Sequence, residues 1–323
     1  MSEHQLNQNY LEARDVAGDR LSLTQRIEEY RELLPSNKSP LIICETDNTA
    51  AQAGVPEVSV RELDAKVLHS AIAGYGALIV RNMFVDTEVE TLKHAIDEVL
   101  KVFGLPRNKR ASTVSPYFNP PENMASIMPG KEEELASLRY FNRGGGAAMC
   151  AEAPSVAESL LELYEQHGIK DLVTEYLGES PCLSVKKWVL RRSMLPVEQA
   201  GWHQDGAFMG EDINSINLWI PLSDCGGKTG APGMDVVPQR LYKVASSDGA
   251  TFDWSVSDEL VQSGRIYNRP VAPVFNAGDG FFFDHFYLHR TQSSEDFFNV
   301  RYAVENWFFG SSTFPKSQVP LAW

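Results

Sequence analysis

The chain has 323 residues, 29 Lys and Arg against 43 Asp and Glu, and a formal net charge of −14. So acidic a chain lacks the positive field that nucleic acids and anionic membranes require, and neither is expected as a partner. Hydrophobic residues make up 43% and charged residues 22%, an ordinary globular composition and enough to bury a large core as one elaborated domain.

The polar N-terminus, MSEHQLNQNY, has no apolar run of the kind a secretory signal carries. A short amphipathic helix is expected over 23–34, stopped by Pro35, within a polar extension spanning 1–58. Ser59 and Glu62 form a capping-box pattern ahead of Leu63, Val67, Leu68 and Ile72, and Gly74 and Gly76 mark the end of that helix. Residues 76–80 read as a buried strand. Asp86 is the expected N-cap of a second helix, with Val89, Leu92, Ile96, Val99 and Phe103 at helical spacing up to Gly104. Residues 113–150 carry Pro116, Pro120, Pro121, Pro129 and Gly144-Gly145-Gly146, and read as a long loop. Such a loop is either an active-site cover or a plain surface connection. Tyr117, Phe118, Asn142 and Arg143 are its candidates for lining a substrate. A third helix is expected over 154–167, with Val156, Leu160, Leu163 and Tyr164 on one face and Gly168 as its stop.

From about residue 180 the pattern changes to short strand-like runs: 183–190, 216–222, 234–237, 271–275, 280–283 and 301–309, separated by Gly- and Pro-rich turns. That is the pattern of a sandwich or jelly roll. The expected architecture is therefore α+β in a single domain, 1–323. A helical layer (59–179) packs on a β core (180–310), and 311–323 form a tail. The apolar stretches 71–80 and 281–288 are too short to span a bilayer. Cys44, Cys150, Cys182 and Cys225 are widely spaced, without a CxxC, which argues against a disulfide framework or a cysteine zinc site. The expectation is a soluble, cytoplasmic protein.

The chemistry centres on His203-Gln204-Asp205. At a strand end, residues i and i+2 point the same way, so an imidazole and a carboxylate can reach one metal. His289, which follows the strand-like run 278–284, is the candidate third ligand, with His285 as its competitor. Two histidines and one carboxylate leave coordination positions for a bidentate cosubstrate and dioxygen, as in non-haem Fe(II) oxygenases. Arg301 lies twelve residues past His289 on the next strand, and its planar guanidinium suits a carboxylate; Thr291 could add a hydroxyl to it. Together these residues suit 2-oxoglutarate. The other histidines read as a tail residue (His4), helix residues (His69, His94) and a helix C-terminus (His167).

The sequence resembles the phytanoyl-CoA dioxygenase family of Fe(II)/2-oxoglutarate oxygenases. The resemblance covers roughly 60–310. It is carried by Trp202-His203-Gln204-Asp205-Gly206, the strand Asn217-Leu218-Trp219-Ile220-Pro221-Leu222-Ser223-Asp224, the turn into Met234-Asp235-Val236-Val237-Pro238, and Gly278-Asp279-Gly280 through His289 to Arg301. GALIVRNMF over 76–84 resembles the family's first strand. The chain departs from the family where Gln239-Arg240 stands in place of a frequent Gly-Ser-His run. The resemblance implies a double-stranded β-helix, with His203, Asp205 and His289 as iron ligands and Arg301 as the 2-oxoglutarate anchor. It also implies Trp219 in the cosubstrate pocket and Lys186 as a cosubstrate contact. The implied reaction is oxidation of an unactivated C–H bond of a small molecule, with release of succinate and carbon dioxide. The carboxylate of Asp205 argues for hydroxylation or another oxidation rather than halogenation. Two other readings remain: a cupin-like metal enzyme that does not use 2-oxoglutarate, and a non-catalytic binding protein on the same fold. The basic clusters Arg107-Asn108-Lys109-Arg110, Lys186-Lys187 and Arg191-Arg192 read as solvated faces rather than as sites for acyl-CoA phosphates.

Overall fold

The structure, a computed structural model, describes residues 25–26, 54–103, 132–197, 201–264 and 267–323. Tyr117, Phe118 and Cys44 lie outside the described residues, as does the expected helix over 23–34 apart from 25–26, which are helical. Among the described residues, two sheets and a helical layer form the fold. The large sheet contains β1 (Glu57–Ser59), β2 (Ala77–Arg81), β3 (Ala147–Met149), β4 (Pro181–Arg192), β6 (Ser215–Pro221), β9 (Gly280–Phe283), β11 (Tyr302–Gly310) and β12 (Pro320–Ala322). Its order is β1-β2-β9-β6-β11-β4-β12, with β3 also on β4. The small sheet contains β5 (Trp202–His203), β7 (Met234–Val236), β8 (Ser255–Val256) and β10 (His289–Thr291), in the order β7-β10-β5-β8. Strand pairs are antiparallel except β1 with β2.

Alternation along the strands places the core on both faces of the large sheet. Leu78, Val80, Leu218, Ile220, Phe282, Val304 and Phe308 face the helices α1 (Ala65–Tyr75), α2 (Asp86–Phe103), α4 (Pro154–Gln166) and α5 (Ile169–Leu177), meeting Leu68, Ile96, Leu160 and Val173. Ala77, Ile79, Trp219, Phe281, Phe283, Ala303, Trp307 and Phe309 face the other way, against Val236, Phe275 and Tyr287. A sheet covered on both sides explains why its strands read as near-continuous apolar runs. Each such large side chain contributes roughly 1.5–3 kcal/mol by leaving water.

Several expected elements change in detail. The Ser59–Glu62 capping box forms, but it caps a 3-10 turn, Val60–Glu62. The cap of α1 is Asp64, whose side chain accepts from the Val67 amide at 2.8 Å. Gly76 ends α1 in the left-handed region, at φ 82°. Part of the expected loop is regular: α3 spans Glu132–Gly144, and Ala147–Met149 pair with β4. The glycine and proline content of the segment masked a helix-forming run, Glu132-Glu133-Glu134-Leu135-Ala136. Residues 271–275 make only isolated bridges, Val271 with Val236 and Phe275 with Cys225. Residues 311–323, expected as a tail, carry β12 onto β4 and bring Trp323 against Phe308, ring centroids 5.2 Å apart. No helix among the described residues is long and apolar enough to cross a membrane.

β4 carries an irregularity that matters for the site. Its register on β11 jumps from Trp188↔Asn306 to Leu183↔Phe308. Leu183 and Val185, then Trp188 and Leu190, all face the helices, so the alternation changes phase at Lys186 and Lys187.

Candidate metal centre

His203 and His289 are direct register partners across β5 and β10, with ring centroids 4.4 Å apart. Asp205 joins them by a bend rather than along an extended strand. β5 ends at His203, and Asp205 already has helical angles, φ −62° and ψ −23°, ahead of the short helix α6 (Gly206–Met209). Gln204 pins the bend. It is 1% exposed, donates through Nε2 to the carbonyls of Phe286 (2.6 Å) and Lys243 (3.1 Å), and accepts at Oε1 from the Ala245 amide at 2.7 Å. Gly206 packs on the His285 backbone, donating to its carbonyl at 2.8 Å. A Cβ at Gly206 would lie 3.1 Å from that same oxygen, closer than a side chain normally tolerates.

Backbone carbonyls fix both imidazoles. His203 Nδ1–H donates to Gly201 O at 2.9 Å and His289 Nδ1–H to Tyr287 O at 3.0 Å. A carbonyl only accepts, so each ring carries its proton on Nδ1 and presents the Nε2 lone pair. His289 Nε2 lies 3.8 Å from Asp205 Oδ2, and one ligand atom from each of the three residues lies within 4.8 Å of the others. Burial pushes His203 down to about 4, so its ring is neutral and free to coordinate. Burial alone would raise the Asp205 carboxyl, but the charge of Lys187, foremost among its neighbours, holds it below the ordinary value. Two imidazoles and one carboxylate form a donor set that suits Fe(II).

His285, the competing ligand candidate, is turned elsewhere. Its Nε2–H donates to Glu211 O at 3.1 Å, and Nδ1 accepts from the Ser215 hydroxyl at 2.9 Å. Burial pushes it too down to about 4. The sign of the resulting pH dependence follows directly. An unfolded histidine takes up its proton near 6.5, whereas these two resist it until about 4. The unfolded chain therefore binds more protons throughout that window, and stability falls as pH drops through it. Melting temperatures of metal-free protein should decline steadily from pH 6.5 to 4; a flat profile would contradict buried, neutral imidazoles.

Lys187, next to the expected cosubstrate contact Lys186, is the lysine that reaches the triad. The phase change in β4 sends Lys186 to Glu134 on α3, while Lys187 Nζ donates to Asp205 Oδ1 at 2.8 Å. The ammonium also lies 4.3 Å above the Phe208 ring and 3.9 Å from Glu305. Its bond occupies Oδ1 and leaves Oδ2 as the oxygen facing His289. Because the Lys187 side chain is 21% exposed, removing it should cost less than a fully buried pair, on the order of 2–3 kcal/mol. Lys187→Met should lower the melting temperature of metal-free protein, and Co(II) should restore more in the variant than in wild type, because the ion then supplies the missing positive charge. Equal Co(II) shifts in both proteins would contradict that coupling.

Arg301 is 3% exposed at the start of β11. Its backbone is tied to Ser193, with the Arg301 amide donating to Ser193 Oγ and the Ser193 amide to Arg301 O, both at 2.8 Å. The guanidinium donates through Nη1 to the carbonyls of Pro232 and Gly233 at 3.1 Å each, and lies 5.4 Å from the Trp219 ring. Nε has no hydrogen-bond partner. No carboxylate of the described residues forms an ion pair with it. Burial pulls its pKa down to about 10, so it stays charged at neutral pH. A buried charge without a counter-ion is costly, and an anionic ligand carboxylate would relieve it.

Thr291 lies two residues beyond His289 on β10 and shares its face. Trp219 is buried beside Arg301 and edge-on to Phe275 at 5.1 Å. Asn142 is buried on α3; the Arg143 side chain is outside the described residues. A row of aromatic rings, not anticipated from the sequence, leads outward from His203. Phe208 stacks at 6.4 Å, Trp254 meets it edge-on at 5.8 Å, and Phe252 stacks on Trp254 at 4.9 Å. The one sequence hint for Phe208 was its place three residues after the HxD aspartate.

The chain is similar in fold to EctD from S. alaskensis, determined with 2-oxoglutarate and 5-hydroxyectoine. The TM-score is 0.55 and the identity 15%, covering 86% of this chain and 83% of that one. It is also similar to SnoK, a non-heme alpha ketoglutarate dependent carbocyclase from nogalamycin biosynthesis. There the TM-score is 0.50 and the identity 16%, covering 80% of this chain and 87% of that one. No protein-family model matches the chain, and no curated protein does.

Proposed function

We propose that the chain is an Fe(II)/2-oxoglutarate-dependent oxygenase of the phytanoyl-CoA dioxygenase family, with a double-stranded β-helix core. In this reading it oxidises an unactivated C–H bond of a small molecule and releases succinate and carbon dioxide. One observation carries the reading: a buried guanidinium, Arg301, which meets no carboxylate among the described residues, lies on the same side of the large sheet as a triad of metal-ligand type. A metal site alone fits many enzymes. A metal site with a fixed cation behind it fits a cosubstrate that chelates at one end and carries a carboxylate at the other. The similar folds of EctD and SnoK, with 2-oxoglutarate named for each, support the same assignment.

His203, Asp205 and His289 would hold Fe(II), and Arg301, with Thr291 and Trp219, the distal carboxylate of 2-oxoglutarate. Bound there, the iron and its cosubstrate supply the dioxygen chemistry that no side chain can. The protein's residues supply order. Carbonyl-bound Nδ1–H groups keep both imidazole lone pairs aimed at one point. Lys187 restrains Asp205 through one oxygen. The buried interior around Phe283 and Trp307 excludes water, and Phe208, Trp254 and Phe252 offer an apolar wall to the substrate. The test is metal-dependent formation of succinate from 2-oxoglutarate, slow without substrate and abolished by a chelator. Protein with Fe(II) bound that forms no succinate under air would contradict the reading.

A further inference from the structure

Asn217, like Asn306 on β11, is a buried amide whose polar atoms meet no partner among the described residues. It lies mid-strand in β6 and is 1% exposed. Its register partners are Trp307 on β11 and Phe283 on β9, both in the apolar cluster between the sheets. The Phe283 ring is 4.9 Å from that of His289. Two residues along the same face, Trp219 lies against Arg301. Asn217 therefore stands between the triad and the guanidinium. Neither Nδ2 nor Oδ1 has a hydrogen-bond partner among the described residues. A buried amide left unpaired is costly, and its strand neighbours Ile216, Leu218 and Ile220 show what this sheet accepts elsewhere.

The neighbours of Asn217 narrow the missing partner. Trp307 Nε1 and Arg301 Nε are also buried without a partner, and both come from the inner face of the β11 segment. Nδ2 of Asn217, Nε1 of Trp307 and Nε of Arg301 are all donors. With Asn217 Oδ1 as the one unmet acceptor among these three side chains, donors outnumber acceptors, which favours a ligand rich in acceptors. A dicarboxylate with a keto group, such as 2-oxoglutarate, has acceptors only. We infer that Asn217 is a binding residue for this cosubstrate, its amide N–H donating to the keto-acid end while Arg301 holds the other carboxylate. The inference rests on the 2-oxoglutarate reading above.

The test uses the full chain, loaded anaerobically with Co(II) and titrated with 2-oxoglutarate. Asn217→Leu keeps the volume and removes the amide. The melting temperature of the metal-free variant should equal or exceed that of wild type, because an unpaired polar group has been replaced by an apolar one. Co(II) affinity should stay within about twofold. The 2-oxoglutarate dissociation constant should rise about tenfold or more, the loss expected for a hydrogen bond to a charged group. Asn217→Val gives the same reading should the leucine variant not fold. A dissociation constant within about twofold of wild type would overturn the role of Asn217. So would a fall in melting temperature with cosubstrate binding intact, which would make the amide merely structural. If wild type binds Co(II) but no 2-oxoglutarate, the cosubstrate reading itself fails, and the role of Asn217 with it; that outcome is visible before any variant is compared.

Discussion

Asp205→Ala is expected to abolish metal-dependent succinate formation, by more than the roughly 10- to 100-fold that losing a residue behind a metal ligand costs. The carboxylate is the one acidic donor in a set whose other members are imidazoles. Without it, a divalent ion meets two imidazole nitrogens and the positive charge of Lys187, whose Nζ lies 2.8 Å from Asp205 Oδ1 in the wild type. Attraction becomes repulsion, so Co(II) titration should show affinity reduced beyond the range that Gln204 variants reach. Asp205→Asn separates the two contributions. It keeps an oxygen for Lys187 but removes the charge, and should recover stability without recovering metal binding. Asp205→Ala protein with wild-type Co(II) affinity would show that the three residues do not act together.

Arg301→Met should weaken 2-oxoglutarate binding on the order of 100-fold while leaving Co(II) affinity within about twofold. The separation arises because Arg301 reaches carbonyls of the 232–233 turn and the Trp219 ring, and none of the triad. Stability gives a second reading. Removing one member of a buried ion pair is strongly destabilising, but among the described residues Arg301 has no carboxylate partner to strand. The metal-free variant should therefore melt close to wild type. Arg301→Lys should recover little of the cosubstrate affinity, since a point charge lacks the planar fork that meets a carboxylate in two bonds. A large loss of stability with unchanged cosubstrate binding would mark Arg301 as a structural residue.

Much of this was legible in the sequence, because the signals were local. Gly76 after an apolar helix, alternating strands from residue 180 and the tripeptide His203-Gln204-Asp205 each speak within a few residues. The distant members, His289 and Arg301, were candidates from their place on the strand-like runs, and the resemblance to one oxygenase family implied the same pair. What the sequence hid was long-range or depended on an irregularity. Lys186 and Lys187 are adjacent and chemically alike, and only the phase change in β4 decides that Lys187 faces Asp205. His289 is paired within β10 while His285 lies before it, and their rings meet different carbonyls. The helix α3 was lost behind the glycines that follow it. Asn217 read as one polar letter in a buried strand, and its meaning appears only when its neighbours' unmet donors are seen beside it.

The most direct test is visible absorbance during anaerobic titration, first with Fe(II) and then with 2-oxoglutarate. A weak charge-transfer band should grow with the cosubstrate in wild type. It should persist in His285→Ala, vanish in His289→Ala, and require far more 2-oxoglutarate in Arg301→Met. Wild-type protein that holds Fe(II) yet develops no such band would contradict the assignment of this site to 2-oxoglutarate.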